Sequence, residues 1–145
     1  MHIERTVTTA APLEAVFGYL ADFTTTTEWD PGTVRTSRVA GDGGVGTRYH
    51  NRSRFLGRET ELTYVVEQLV PGSVIHLRGE NRTVVADDTM TFVRTPTGGT
   101  RVTYRAAFSF KGPARLVAPL LSPAFRRLGD EAERGLYQCL DRLAA

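Results

Sequence analysis

The sequence predicts an α+β fold, a curved seven-stranded antiparallel sheet around one long C-terminal helix, with two short helices after the first strand. Two observations carry this. From Val34 to Phe110 the apolar and polar residues alternate with a period of two, broken by turn residues at 41–46, 56–57, 71–72, 81–82 and 96–99. After Gly112-Pro113 the spacing becomes helical, and Phe125, Leu128, Ala132, Leu136, Leu140 and Leu143 form one apolar stripe. A sheet with one apolar face and a helix with one apolar stripe each need cover, and each supplies it to the other.

The elements follow in order. Residues 2–9 alternate and are rich in Thr and Val, so they read as a strand with Ile3 and Val7 on one face. Pro12 suits a first helical turn, and Leu13, Val16, Phe17 and Leu20 continue at helical spacing. Phe23 to Trp29 carries a second short helix or turn, ended by Asp30-Pro31-Gly32. Six strands are expected near 34–40, 47–55, 59–69, 73–80, 83–95 and 100–110, joined as a meander. With Leu56-Gly57 as a loop, Arg54 faces Glu59, Arg52 faces Glu61, Asn51 faces Leu62 and Tyr49 faces Tyr64. With Pro71-Gly72 as a type II turn, Val66 faces Leu77 and Glu67 faces His76. With Asn81-Arg82 as the third turn, Leu77 faces Ala86 and Ile75 faces Asp88. Pro119 and Pro123 interrupt residues 114–123, so the regular helix is expected to start near Pro123.

The 145 residues suit one domain spanning 1–145, with 41% hydrophobic and 23% charged residues. The single cysteine, Cys139, excludes an intrachain disulfide and a Cys-based zinc site. No apolar run reaches the ~18 residues of a membrane span, and the N-terminus lacks the apolar stretch of a signal peptide. A cytoplasmic, reduced setting and no stable membrane insertion are therefore expected. The net charge of +2 is too small for a strong nucleic-acid binder. A monomer or weak homodimer, with no metal and no organic cofactor, is the expectation.

Ala10-Ala11-Pro12-Leu13-Glu14-Ala15-Val16-Phe17 is followed by Asp22 and, seven residues on, by Trp29-Asp30-Pro31. Gly46-Thr47-Arg48-Tyr49 opens the third strand, and Gly99-Thr100-Arg101-Val102-Thr103 opens the last, before Gly112 and the long helix. In order and spacing this resembles the polyketide cyclase/dehydrase family of the START-like (SRPBCC, Bet v 1-like) superfamily over nearly the whole chain. The resemblance implies a helix-grip fold with a deep cavity between sheet and helix. It further implies binding of a polyketide-, lipid- or aromatic-like molecule, with cyclisation or dehydration in some relatives. It places the Gly41–Gly46 loop at the cavity mouth as a gate, and Trp29 near the entrance, where core packing is the alternative.

Polar residues on the inward phase are the candidate site. Asn51, Ser53 and Asp88 interrupt the apolar face, and Tyr49, Tyr64 and Tyr104 carry hydroxyls into it. An unpaired buried polar group costs a few kcal/mol, so a solid core rarely holds this many, whereas an aromatic-lined cavity does. Met90, Phe92, Phe108 and Phe125 complete the expected lining. The alternative is that Asn51, Ser53 and Asp88 satisfy one another. Asp88 is the candidate general acid or base, because burial without a cation raises a carboxyl. Arg5 shares the phase of Ile3 and Val7, and pairing with Asp88 would make the two structural or a ligand anchor.

Other features are weaker. Gly41-Asp42-Gly43-Gly44-Val45-Gly46 matches G-x-G-x-x-G, but a strand follows it where dinucleotide binding needs a helix. His2, His50 and His76 fall on the outward phase, so Cys139 has no inward histidine to activate it. Arg48, Arg52, Arg54 and Arg58 form a basic strip opposite Glu59 and Glu61. Three functions follow: an enzyme of the cyclase/dehydratase type, a non-catalytic carrier or sequestration protein, or an interaction module using the arginine face. The apolar segment 114–125 is expected to wall or lid the cavity, with membrane contact as the lesser option.

Overall fold

The structure is a computed structural model that describes residues 1–144. Strand β1 (His2–Thr9) is followed by helix α1 (Leu13–Ala21), a 3-10 turn at Phe23–Thr25 and helix α2 (Thr26–Trp29). The meander then runs through β2 (Thr33–Ala40), β3 (Arg48–Phe55), β4 (Arg58–Val70), β5 (Val74–Glu80), β6 (Val84–Arg94) and β7 (Thr100–Phe110). Helix α3 (Ala114–Val117), a 3-10 turn at Ala118–Leu121 and helix α4 (Ser122–Leu143) complete the chain. All seven strands form one antiparallel sheet in the order β1-β7-β6-β5-β4-β3-β2. The element types and nearly all expected bounds hold.

The β3–β4 hairpin has the expected register, with Arg54 opposite Glu59 and Tyr49 opposite Tyr64. Its two-residue loop needs left-handed backbone at both positions, and Leu56 adopts it (φ 53°) beside Gly57. In the next hairpin Val66 faces Leu77 as expected, but His76 faces Gln68 rather than Glu67. The Pro71-Gly72 turn, closed by Ser73 N donating to the Val70 carbonyl at 3.0 Å, leaves three residues between Val70 and Val74. A bulge at Glu67 takes up the extra residue and restores the register beyond it. The third hairpin is shifted by two: Leu77 faces Asp88 and Ile75 faces Met90. The cause is Asn81, whose Oδ1 accepts from Thr83 N, Thr83 Oγ1 and Val84 N, enlarging the turn. A shift of two keeps each residue on its face.

Helix α4 buries Phe125, Gly129, Ala132, Leu136, Cys139 and Leu140. Leu136 and Leu140 are completely enclosed, and each such side chain is worth about 1.5–3 kcal/mol of burial. Gly135 lies where α4 crosses the end of α2, and an added Cβ would sit 1.9 Å from the Trp29 carbonyl oxygen. One half of the sheet's concave face is filled by α1, where Phe17 meets Phe92 edge-on at 5.0 Å. The other half is covered by α4 and α2, with space left beneath them.

Candidate functional site

That space is a cavity of about 210 Å³ between β3, β4, β6 and β7 on one side and α2 and α4 on the other. Its enclosed end holds Trp29 (2% exposed), Asn51 and Asp88 (5% exposed). Its open end reaches the exposed residues Thr60 and Thr83. At this end the ring of Phe125 (6% exposed) packs between Phe55 and Phe108, with centroids 4.6 and 4.8 Å away, and meets Phe110 at 5.9 Å. Phe125→Leu removes three ring contacts and is expected to cost about 1–2 kcal/mol. A urea titration reads that loss, and stopped-flow release of a bound dye should speed up; unchanged release removes Phe125 from the mouth.

The polar groups are set by their strands. Asn51 Nδ2 donates to Thr36 Oγ1 at 2.8 Å, and Ser53 Oγ donates to Asn51 Oδ1 at 2.7 Å. Thr36 Oγ1 also meets Thr26 Oγ1 at 2.6 Å, so this chain is satisfied within the protein. Asp88 stands apart from it. The Tyr104 hydroxyl donates to Asp88 Oδ2 at 3.1 Å, and the Tyr64 phenol also faces the carboxyl. Burial pushes Asp88 up to about 7, the nearby acids Asp30 and Asp87 push the same way, and the two phenols pull against them. Burial and the Asp88 carboxyl together hold Tyr64 and Tyr104 well above the usual phenol range. They remain hydrogen-bond donors at any physiological pH.

Of the residues singled out from sequence, Trp29, Asn51, Ser53, Tyr64, Asp88, Tyr104, Phe108 and Phe125 line this cavity. Four do not. Arg5 is turned away from Asp88: its guanidinium pairs with Asp130 at 2.9 Å and donates to the Arg126 carbonyl, pinning β1 to α4. Tyr49 packs on Phe23, Phe92 on Phe17, and Met90 is enclosed in the core. Trp29 is not at the entrance; it packs edge-on against Tyr104 at 5.7 Å inside. The Gly41–Gly46 loop does not border the mouth either. It lies at the other end of the strands, tied to β4 by Gly46 N donating to the Val66 carbonyl.

Asp30 was missed as a site residue. It ends α2, its Oδ1 accepts from Gly32 N and its Oδ2 from Thr33 Oγ1, both at 3.0 Å. It lines the cavity, and burial raises its carboxyl against those two hydrogen bonds. In sequence it reads as a helix stop. Its one hint is adjacency to Trp29.

The remaining features fall elsewhere. His76 contacts Asp87 at 2.9 Å and His50 contacts Glu61 at 3.6 Å, both on the outer face. Cys139 is buried against the Glu28 carbonyl and Arg142. Arg54 pairs with Glu59 at 3.6 Å, as charge alternation in the hairpin predicts. Of the 114–125 segment, Leu121 and Phe125 wall the cavity, while Leu116 (82% exposed) and Leu120 (78% exposed) point outward. No helix among the described residues is long and apolar enough to cross a membrane.

A family model described as polyketide cyclase/dehydrase and lipid transport matches residues 1–145. The chain belongs to this family. Membership agrees with the helix-grip architecture, and so do solved structures. The Zhui aromatase/cyclase from Streptomyces sp. R1128 superposes with a TM-score of 0.85 at 18% identity, covering 100% of this chain and 96% of that one. A START superfamily protein from Mycobacterium smegmatis gives 0.81 at 14% identity, covering 98% of each chain. The protein TTHA0849 from Thermus thermophilus gives 0.80 at 17%, covering 100% and 99%. At these identities the likeness is one of fold. No curated protein matches the chain in sequence.

Proposed function

We propose that this protein binds a small hydrophobic, ring-containing molecule in the cavity and that Asp88 exchanges a proton with it. The observation that carries the reading is Asp88 itself: a carboxyl without a cation at the enclosed end of an aromatic pocket, titrating at about 7. A general acid or base works best with a pKa near the operating pH. Tyr64 and Tyr104 beside it are protonated donors, suited to a ligand carbonyl whose oxygen gains charge as an α-proton leaves. Removal of an α-proton is the step shared by aldol-type cyclisation and by dehydration of the resulting hydroxyketone. The volume suits a compact ligand, since an engineered cavity of ~150 Å³ accommodates benzene. A cytoplasmic setting is part of this reading.

The test uses 2-tetralone in deuterated buffer, with α-proton exchange followed by NMR. Asp88 takes the α-proton, the enolate forms against the phenols, and a deuteron returns to carbon. The protein should accelerate exchange above the buffer rate, and Asp88→Asn should remove at least nine-tenths of that acceleration while tetralone still binds. Equal exchange by both proteins removes Asp88 as proton carrier and leaves the carrier or sequestration role.

A further inference from the structure

The cavity contains an unbalanced charge. Two carboxyls line it, Asp30 from the end of α2 and Asp88 from β6. The cation among the lining residues, Arg54, belongs to the mouth: its side chain is 64% exposed and lies 3.6 Å from Glu59. Arg5 on β1 does not line the cavity and is committed to Asp130. Asp88 Oδ2 takes the Tyr104 hydrogen bond, the Tyr64 phenol also faces the carboxyl, and no cation does. Asp88 nevertheless lines the cavity, so its carboxyl is within reach of whatever the cavity holds. A residue 5% exposed thus presents a carboxyl, met by two phenols and by no cation, to an enclosed space.

The walls add a second selection. Trp29, Tyr64, Tyr104 and Phe108 surround the carboxyls, and aromatic faces attract cations. A neutral ligand leaves two like charges facing one another, each already raising the other's cost. An anionic ligand adds a third. A cationic one is attracted to both carboxyls and to the rings.

Resting on the reading that this cavity holds a ligand, we infer that the ligand carries a basic nitrogen, a protonated amine attached to a compact ring system, placed against the Asp88 carboxyl and near Asp30.

Three compounds of one shape and different charge test this by calorimetry at pH 7.5: naphthalen-1-ylmethylamine, naphthalen-1-ylmethanol and 1-naphthoic acid. The amine should bind on the order of tenfold or more tightly than the alcohol, with the acid weakest. The alcohol should displace the amine, which shows that they share a site. Asp88→Asn should lower amine affinity about tenfold and leave the alcohol within about twofold. An alcohol or acid that binds as tightly as the amine overturns the inference and leaves the ligand-binding reading intact. If none of the three binds, both fall. The comparison on the unaltered protein stands even if the variant fails to fold.

Discussion

Asp88→Asn should make the protein more stable at alkaline pH, by an amount that vanishes in acid. The sign follows from the raised carboxyl. Unfolded, Asp88 titrates near its ordinary 3.8; folded, it holds its proton up to about 7. Between these values the folded state binds more protons than the unfolded one, so its contribution to stability falls as pH rises. Above 7 the buried charge exerts its full cost. At ~1.4 kcal/mol per pK unit that cost is about 4 kcal/mol. Asparagine keeps the acceptor for Tyr104 and cannot ionise. Thermal melts should therefore show a variant about 4 °C higher at pH 5, where the unfolded carboxyl is already ionised, and about 10 °C higher at pH 8, given ~2–4 °C per kcal/mol for a chain this long. Asp30 is raised by burial in both proteins, and its repulsion of Asp88 is part of the difference between them. Parallel pH profiles would mean that Asp88 is not buried as described. A natural sequence that retains so costly a group points to use rather than to architecture.

Gly135→Ala should act in the opposite sense and more broadly. Helix propensity alone favours alanine by about 1 kcal/mol. The new methyl, however, would sit 1.9 Å from the Trp29 carbonyl oxygen and 3.0 Å from its carbonyl carbon. Backbone cannot swing aside like a side chain, so α2 and α4 must separate by roughly 1.5 Å to restore ordinary contact distances. Overpacking of this kind costs about 1–3 kcal/mol, and the upper end applies where backbone must move. The displaced residues are Trp29 and Asp30, so affinity for any cavity ligand should fall with stability. Gly18→Ala is the control. Gly18 lies inside α1 with nothing near its missing Cβ, and alanine there should stabilise by about 0.5–1 kcal/mol. Denaturant titrations of the pair decide the point; a stabilised Gly135→Ala protein would mean that the helices do not touch there.

The sheet was legible because strand periodicity and cross-strand charge are local signals. Arg54 opposite Glu59 and Tyr49 opposite Tyr64 follow from counting across a two-residue loop. The count failed where a side chain entered the backbone's bonding, as Asn81 does in its turn, or where Glu67 bulged. Alternation says which face a residue occupies and nothing about where along that face. Met90 and Phe92 therefore shared a phase with Asp88, yet Phe92 packs on Phe17 of α1 and Met90 is enclosed in the core. Arg5 shared the phase of Ile3, but its partner Asp130 comes from a helix 125 residues later. Asp30 escaped because a loop has no period to violate.

The edge pairing of β1 has a consequence for how the chain acquires its structure. His2 lies opposite Ala107, and Thr9 opposite Thr100, so the first strand made is matched to the last. At ~5–20 residues per second of synthesis, β1 waits at least several seconds for its partner. During that wait its apolar residues Ile3 and Val7 have neither sheet nor α4 to cover them. The meander from β2 to β7 is built from neighbours and can assemble as it emerges. Closure by β1 and α4 is a late event, governed by contacts of high sequence separation. Truncation or delay at either terminus should therefore affect yield in the cell before it affects the stability of the finished protein.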